Sequence, residues 1–105
     1  MEPKISYFIT CFENLPSENK IHMGSSRCFG YYNSFEEADE AVKENRCDLH
    51  EYLYKYCLVE AITPGIHQIC LVEDRHFYEF DTHKGCWEPK PEPECLARII
   101  NFAIG

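Results

Sequence analysis

Phe35, Ala38, Ala41 and Val42 recur at three- and four-residue spacing, which puts them on one stripe of a helix. Ser34 precedes the stripe and Glu37 follows three residues later, the spacing of a capping box. The hydroxyl is expected to accept from the Glu37 amide while the carboxylate reaches back to the Ser34 amide. Glu36, Glu37, Asp39 and Glu40 crowd the first turns and Lys43 and Arg46 the other end, as the helix dipole favours. Asn45 suits a left-handed closing residue. The spacing predicts a helix from Phe35 to about Glu44, short enough to need a sheet to lie on.

Elsewhere the period is two. In Lys4–Glu13, Ile5, Tyr7, Ile9 and Cys11 alternate with Ser6, Phe8, Thr10 and Phe12. Arg27–Asn33 is rich in strand-forming aromatics. Tyr54–Thr63 is apolar on both faces, with Tyr54, Tyr56, Leu58 and Ile62 on one and Cys57, Val59 and Ala61 on the other, the signature of a central strand. Glu60 interrupts the first set, and a carboxylate there must reach an edge or find a partner. Pro64-Gly65 reads as a tight turn between the central strand and His67–Glu73, and Asp74-Arg75 as a second between His67–Glu73 and His76–Asp81, so these three strands form a meander. Three prolines, Pro89, Pro91 and Pro93, predict a loop over Thr82–Pro93. Asn14–Ser26 reads as a polar loop, and Glu94–Gly105 as one helical turn with an extended end. The expected architecture is α+β: one domain over residues 1–105, an antiparallel sheet of four or five strands, and one main helix packed on one face.

Charge then narrows the function. A net charge of −8 argues against a nucleic-acid or membrane-surface binder, either of which needs a basic face. No stretch is long and apolar enough to span a membrane, and Met1-Glu2-Pro3-Lys4 has no signal-peptide pattern, so the expected location is the cytoplasm where the chain is made. Seven cysteines, an odd number without a C-x-x-C, then read as reduced thiols that mostly fill core positions.

Three chemistries compete. His67-x-x-Cys70 and His83-x-x-Cys86 formally supply a Cys2His2 zinc set, but one cysteine lies in a strand and the other in a proline-rich loop, so no metal is expected. Cys28, Cys47 or Cys57 with His50 or His76 has no nucleophile motif around it. Asp48, His50 and Glu51 with Glu60 could form an acid–base cluster, though solvated turn residues account for the first three. No phosphate loop or dinucleotide fingerprint occurs, and no cofactor is expected. Binding remains. Arg27 supplies a cation, and Tyr31, Tyr32 and Trp87 supply flat rings, the means of holding a base and a phosphate. Arg27 precedes the capped helix and is expected to reach its N-terminal region, while Glu60 could accept from a base or ribose. Against this, the tyrosines can equally pack under the helix and Arg27 can pair with an acidic neighbour.

Arg27-x-x-Gly30-Tyr31-Tyr32, Ser34-x-x-Glu37-x-x-x-Ala41-Val42-x-x-Asn45 and Asp48-x-x-Glu51-x-x-Tyr54-x-Tyr56-x-x-Val59-Glu60 together resemble a group of small acidic proteins of bacteria, their phages and other mobile elements. The resemblance implies a counter-defence role: a non-enzymatic, homo-oligomeric binding protein that sequesters a small nucleotide-like immune signal or blocks a host defence protein. The ligand contacts expected on this reading are Arg27, Tyr31, Tyr32, Trp87 and Glu60, with no catalytic residue. Two alternatives stay open: a small hydrolase or transferase acting on a nucleotide derivative through His50, Glu51 or Glu60, and an acidic inhibitor, mimicking nucleic acid, whose helix glutamates contact a protein.

Overall fold

The computed structural model describes residues 5–13, 26–45, 54–64 and 70–96, with the side chains of residues 26, 70, 72, 73 and 95 outside that description. Its elements are β1 (Ser6–Phe12), β2 (Ser26–Tyr32), α1 (Phe35–Lys43), β3 (Tyr56–Ile62), β4 (Cys70–Asp81), β5 (Cys86–Lys90) and a 3-10 turn at Glu94–Leu96. The strands form one antiparallel sheet in the order β2-β1-β3-β4-β5. Because β2 and β3 both flank β1, α1 carries the chain from one side of β1 to the other. The architecture is the expected α+β fold. Among the described residues no helix is long and apolar enough to cross a membrane.

Helix α1 forms where its apolar stripe predicts. Ser34 Oγ accepts from the Glu37 amide at 3.3 Å. The other half of the box differs from expectation: the Ser34 hydroxyl itself donates to Glu37 Oε1 at 3.2 Å. Asn45, at φ 52°, closes the helix in the left-handed region. Ala38, Ala41 and Val42 are buried against Ile9, Cys11, Cys57 and Val59. Leu58, next in sequence to Val59, points the other way and packs with Phe12, Phe77 and Leu96, as strict alternation requires. Tyr54 departs from its expected face. It lies ahead of β3 and packs on the helix side, edge-on to Phe29 at 6.1 Å.

Two boundaries differ from the sequence reading. Asp74 and Arg75 lie within one continuous strand, β4, instead of a tight turn. The polar dipeptide marks a bulge: Glu60 pairs with Arg75 and Ile62 with Cys70, so Ala61 alone faces the four residues Leu71 to Asp74. Cys86–Lys90, expected as loop, is β5. Pro89 is tolerated because β5 is an edge strand whose outer side needs no donor. The β4–β5 turn is built by Asp81, whose Oδ1 accepts from the amides of His83 and Lys84 and whose carbonyl accepts from Gly85, at φ +71°. A second bulge, between Ile9 and Thr10, leaves Phe29 extra on β2 beside Gly30 at φ +134°. The turn at Glu94–Leu96 forms as expected. Asn14–Ser25, Arg46–Leu53, Gly65–Ile69 and Ala97–Gly105, with what the sequence leads one to expect there, lie outside the described residues.

Candidate functional site

On β4 the alternation places Asp74, His76, Tyr78 and Phe80 on the face under the helix. Opposite them, Phe35, Asp39 and Lys43 stand four residues apart and form one ridge of α1. The two rows meet rung by rung. Phe35 lies on the His76 imidazole with ring centres 4.0 Å apart. Tyr78 Oη donates to Asp39 Oδ1 at 2.6 Å. Lys43 Nζ lies 3.0 Å from the second Asp39 oxygen. From β1, Tyr7 Oη donates to Asp74 Oδ2 at 3.0 Å, and Asp74 Oδ1 takes His76 Nε2 at 2.7 Å. A carboxylate only accepts, so this bond fixes the proton on Nε2 and leaves Nδ1 as the remaining ring nitrogen.

A cleft opens beside this row because β5 stops early. Its last residue, Lys90, pairs with Phe77, so the β4 edge at Arg75 and His76 runs on without a neighbouring strand. Pro91 and Glu92 carry the chain past that edge, and Glu92 Oε1 holds Arg75 Nε at 3.0 Å. The resulting space of about 400 Å³ is bounded by the α1 ridge, by β4 and by Pro89 to Glu92. That size lies within the ~300–1,000 Å³ of small-molecule sites. Pro89 and Pro91 make its apolar wall.

The electrostatics sort the cleft into committed and uncommitted groups. Lys43 is held by Asp39 and Arg75 by Glu92. Burial alone would push the Asp39 carboxyl up, but hydrogen bonds from Tyr78 and Lys43 and the nearby Lys43 and His76 charges bring it below the usual range. Burial, then the bond to Asp39, pushes the Tyr78 phenol far up. Tyr7 is raised by burial, by its bond to Asp74, and by the Asp74 and Glu36 charges. Lys90 makes no ion pair among the described residues. In a chain of net charge −8 the cleft is thus a local site with one lysine to spare among the described residues.

The five residues that the sequence singles out do not converge. Arg27 is exposed at the start of β2, with its guanidinium 4.9 Å from the Phe29 ring. The helix begins beyond the other end of that strand, roughly 20 Å away at about 3.3 Å per residue, so Arg27 does not reach it. Tyr31, 57% exposed, lies on the opposite face of the sheet against Phe8. Tyr32 packs at the margin of the helix-side core. Trp87 is buried on β5, at the far edge from β2, edge-on to Phe80 and donating to Asn45 Oδ1 at 3.1 Å. Glu60 is fully buried in the middle of β3, on the face away from α1 and opposite Arg75. His50, Glu51, Cys47 and His67 lie outside the described residues. Cys11, Cys28, Cys57 and Cys86 are free thiols. Burial, with the bond to Cys11, pushes the Cys57 thiol up.

The cleft residues carried a sequence signal that a turn assignment hid. Asp74-x-His76-x-Tyr78 is a period-two polar row, but reading Asp74-Arg75 as a turn cuts it at the first member. Phe35, Asp39 and Lys43 are spaced four apart beside the apolar stripe, where Asp39 reads as a dipole-favoured carboxylate.

Among the described residues no group of three or more histidine, cysteine, aspartate and glutamate side chains is arranged to hold a metal. No protein-family model, curated protein or solved structure matches the chain.

Proposed function

We propose that this chain is a binding protein for a small anion with a flat or apolar body, taken up in the cleft between α1, β4 and Pro89–Glu92. The observation that carries this reading is the charge pairing. Asp39 and Glu92 each engage a cation of the cleft, which leaves Lys90 and the His76 ring available to an incoming anion. The proline wall suits a ring or short hydrocarbon beside the charge. Nucleotide-like signals have this chemistry, so sequestering one is a role the cleft supports. Arg27 and Tyr31 stand outside this site.

The test is calorimetry of the full chain against adenosine 5′-monophosphate, ADP-ribose, a cyclic dinucleotide and phenyl sulfate, with neutral adenosine as control. Binding of at least one anion and not of adenosine is expected. Lys90→Ala should weaken it about tenfold, the usual worth of one charged contact. If none of the anions binds, the reading fails. Binding that ignores Lys90→Ala would move the ligand out of this cleft.

The Tyr7–Asp74–His76 chain favours a second reading, an acid–base enzyme on the same class of ligand, with His76 as the base. Chromatography of the ligand recovered from the same titration separates the two, since a binder returns it intact and an enzyme returns product.

A further inference from the structure

Deepening the cleft reading, and resting on it, we infer that the site takes up its anion together with a proton, which goes to His76 Nδ1. Nε2 already carries the proton that bonds Asp74, so a neutral His76 offers an anion only the lone pair of Nδ1. A lone pair repels an anionic oxygen. Protonation turns the same atom into a charged donor, with no other movement required. The ring is held for that role: Phe35 lies on its face at 4.0 Å, and Asp74 is fixed in turn by Tyr7.

The groups around His76 leave it as the switch. From its own strand it meets Asp74, with Arg75 adjacent and Tyr78 beyond. From β1 comes Tyr7, from α1 Glu36, Asp39 and Lys43, and from the segment after β5 Lys90 and Glu92. By type, carboxylates, lysine and arginine keep one charge between about pH 5.5 and 8, and histidine does not. The two phenols are pushed up and stay neutral. A bound anion then adds a further partner to the protonated form and none to the neutral one. By linkage, binding and protonation must each favour the other.

Phenyl sulfate is the probe, because it has a ring and a charge that does not titrate in this range. Its affinity for the full chain should be about tenfold greater at about pH 5.5 than at about pH 8. Calorimetry at intermediate pH in two buffers of different ionisation heat should show net proton uptake on binding. The imidazole NMR titration of His76 should move to higher pH when phenyl sulfate is added. His76→Gln should bind with the weak, high-pH affinity at every pH. Equal affinity at both pH values without proton uptake would overturn the inference and leave the cleft reading standing. So would a pH dependence that survives His76→Gln. Absence of binding by phenyl sulfate and by every other anion tested, at both pH values, would instead remove the cleft reading itself.

Discussion

On the face of the sheet under α1, the middle is apolar and the polar groups stand at the rim. Ile9, Cys11, Val59 and Cys57 pack against Ala38, Ala41 and Val42, while Tyr7, Asp74, His76, Tyr78 and Asp39 bond one another beside the cleft. On the opposite face the order is reversed. Phe12, Leu58, Phe77 and Leu96 form a smaller cluster, and Thr10 and Glu60 lie fully buried among the central strands. Arg75 is opposite Glu60 in register, with a side chain only 2% exposed and held by Glu92. Both faces bury their residues, but at the rim His76 and Asp74 stay partly exposed, whereas a central group can only be satisfied or strained. The proposed ligand chemistry uses the first face.

That contrast is most easily broken by putting a charge where only apolar groups stand. Val42 is fully buried under the helix, and Val42→Asp places a carboxylate there without a partner, a loss on the order of 4 kcal/mol. A variant that melts with the wild type would mean that the helix does not rest on this face. Next in size is Glu60→Leu. It leaves the buried Arg75 opposite without that carboxylate and should cost about 3 kcal/mol. Glu60→Leu with Arg75→Leu removes both charges, and denaturant unfolding should then show much of the loss recovered. A double variant less stable than either single one would mean that Glu60 and Arg75 do not act as a pair.

The helix and the central strand were legible because their signals are local. A capping box, a four-residue apolar stripe and a run of β-branched and aromatic residues each specify one element. The two faces were harder to read, because a face is assigned by register and register depends on bulges. The bulge opposite Ala61 carries Asp-Arg, which in sequence looks like a turn, and so the row Asp74, His76, Tyr78 was divided. Pro89 hid β5 because only strand order reveals that the strand is an edge. The candidate site was less legible still. Arg27, Tyr31, Tyr32, Trp87 and Glu60 have the right chemical types, yet five strands and a helix distribute them over both faces and both edges. Asp39, Lys43, His76 and Lys90 come from three elements far apart in the chain, and no local pattern joins them.

A smaller effect distinguishes the rim from the centre by a hydroxyl. Tyr78 Oη is bonded to Asp39 at 2.6 Å, so Tyr78→Phe should cost about 2 kcal/mol near neutral pH. The sign of its pH dependence follows from the raised phenol. A group that holds its proton more tightly when folded stabilises fully below its unfolded pKa, and that contribution is lost as pH rises beyond it. The wild type should therefore lose stability above about pH 10, where an unfolded tyrosine ionises. Tyr78→Phe should flatten that alkaline limb, with Tyr7 and the buried Cys57 thiol, both also raised, accounting for what remains. Thermal melts at pH 7 to 11 check this, and parallel curves for the two proteins would show that the bond to Asp39 is not holding the proton.

The smallest change makes the same edit on the other face, with the opposite sign. Thr10 Oγ1 is buried and has no hydrogen-bond partner among the described residues. Its strand neighbours are Cys28 on β2 and Leu58 on β3. A hydroxyl enclosed there has given up its water and gained nothing in return. Thr10→Val keeps the branched shape that the strand favours and replaces that hydroxyl with a methyl group. Stability should rise by about 1 kcal/mol, the lower end of the cost of a buried group left unsatisfied. Binding in the cleft should not change, because Thr10 faces away from α1. A loss of stability in Thr10→Val would mean that the hydroxyl is satisfied, and the central polar groups of this face would then form a closed network instead of a strained one. One hydroxyl whose removal costs stability and another whose removal adds it would place the difference between the two faces in their bonding, since both groups are buried to the same degree.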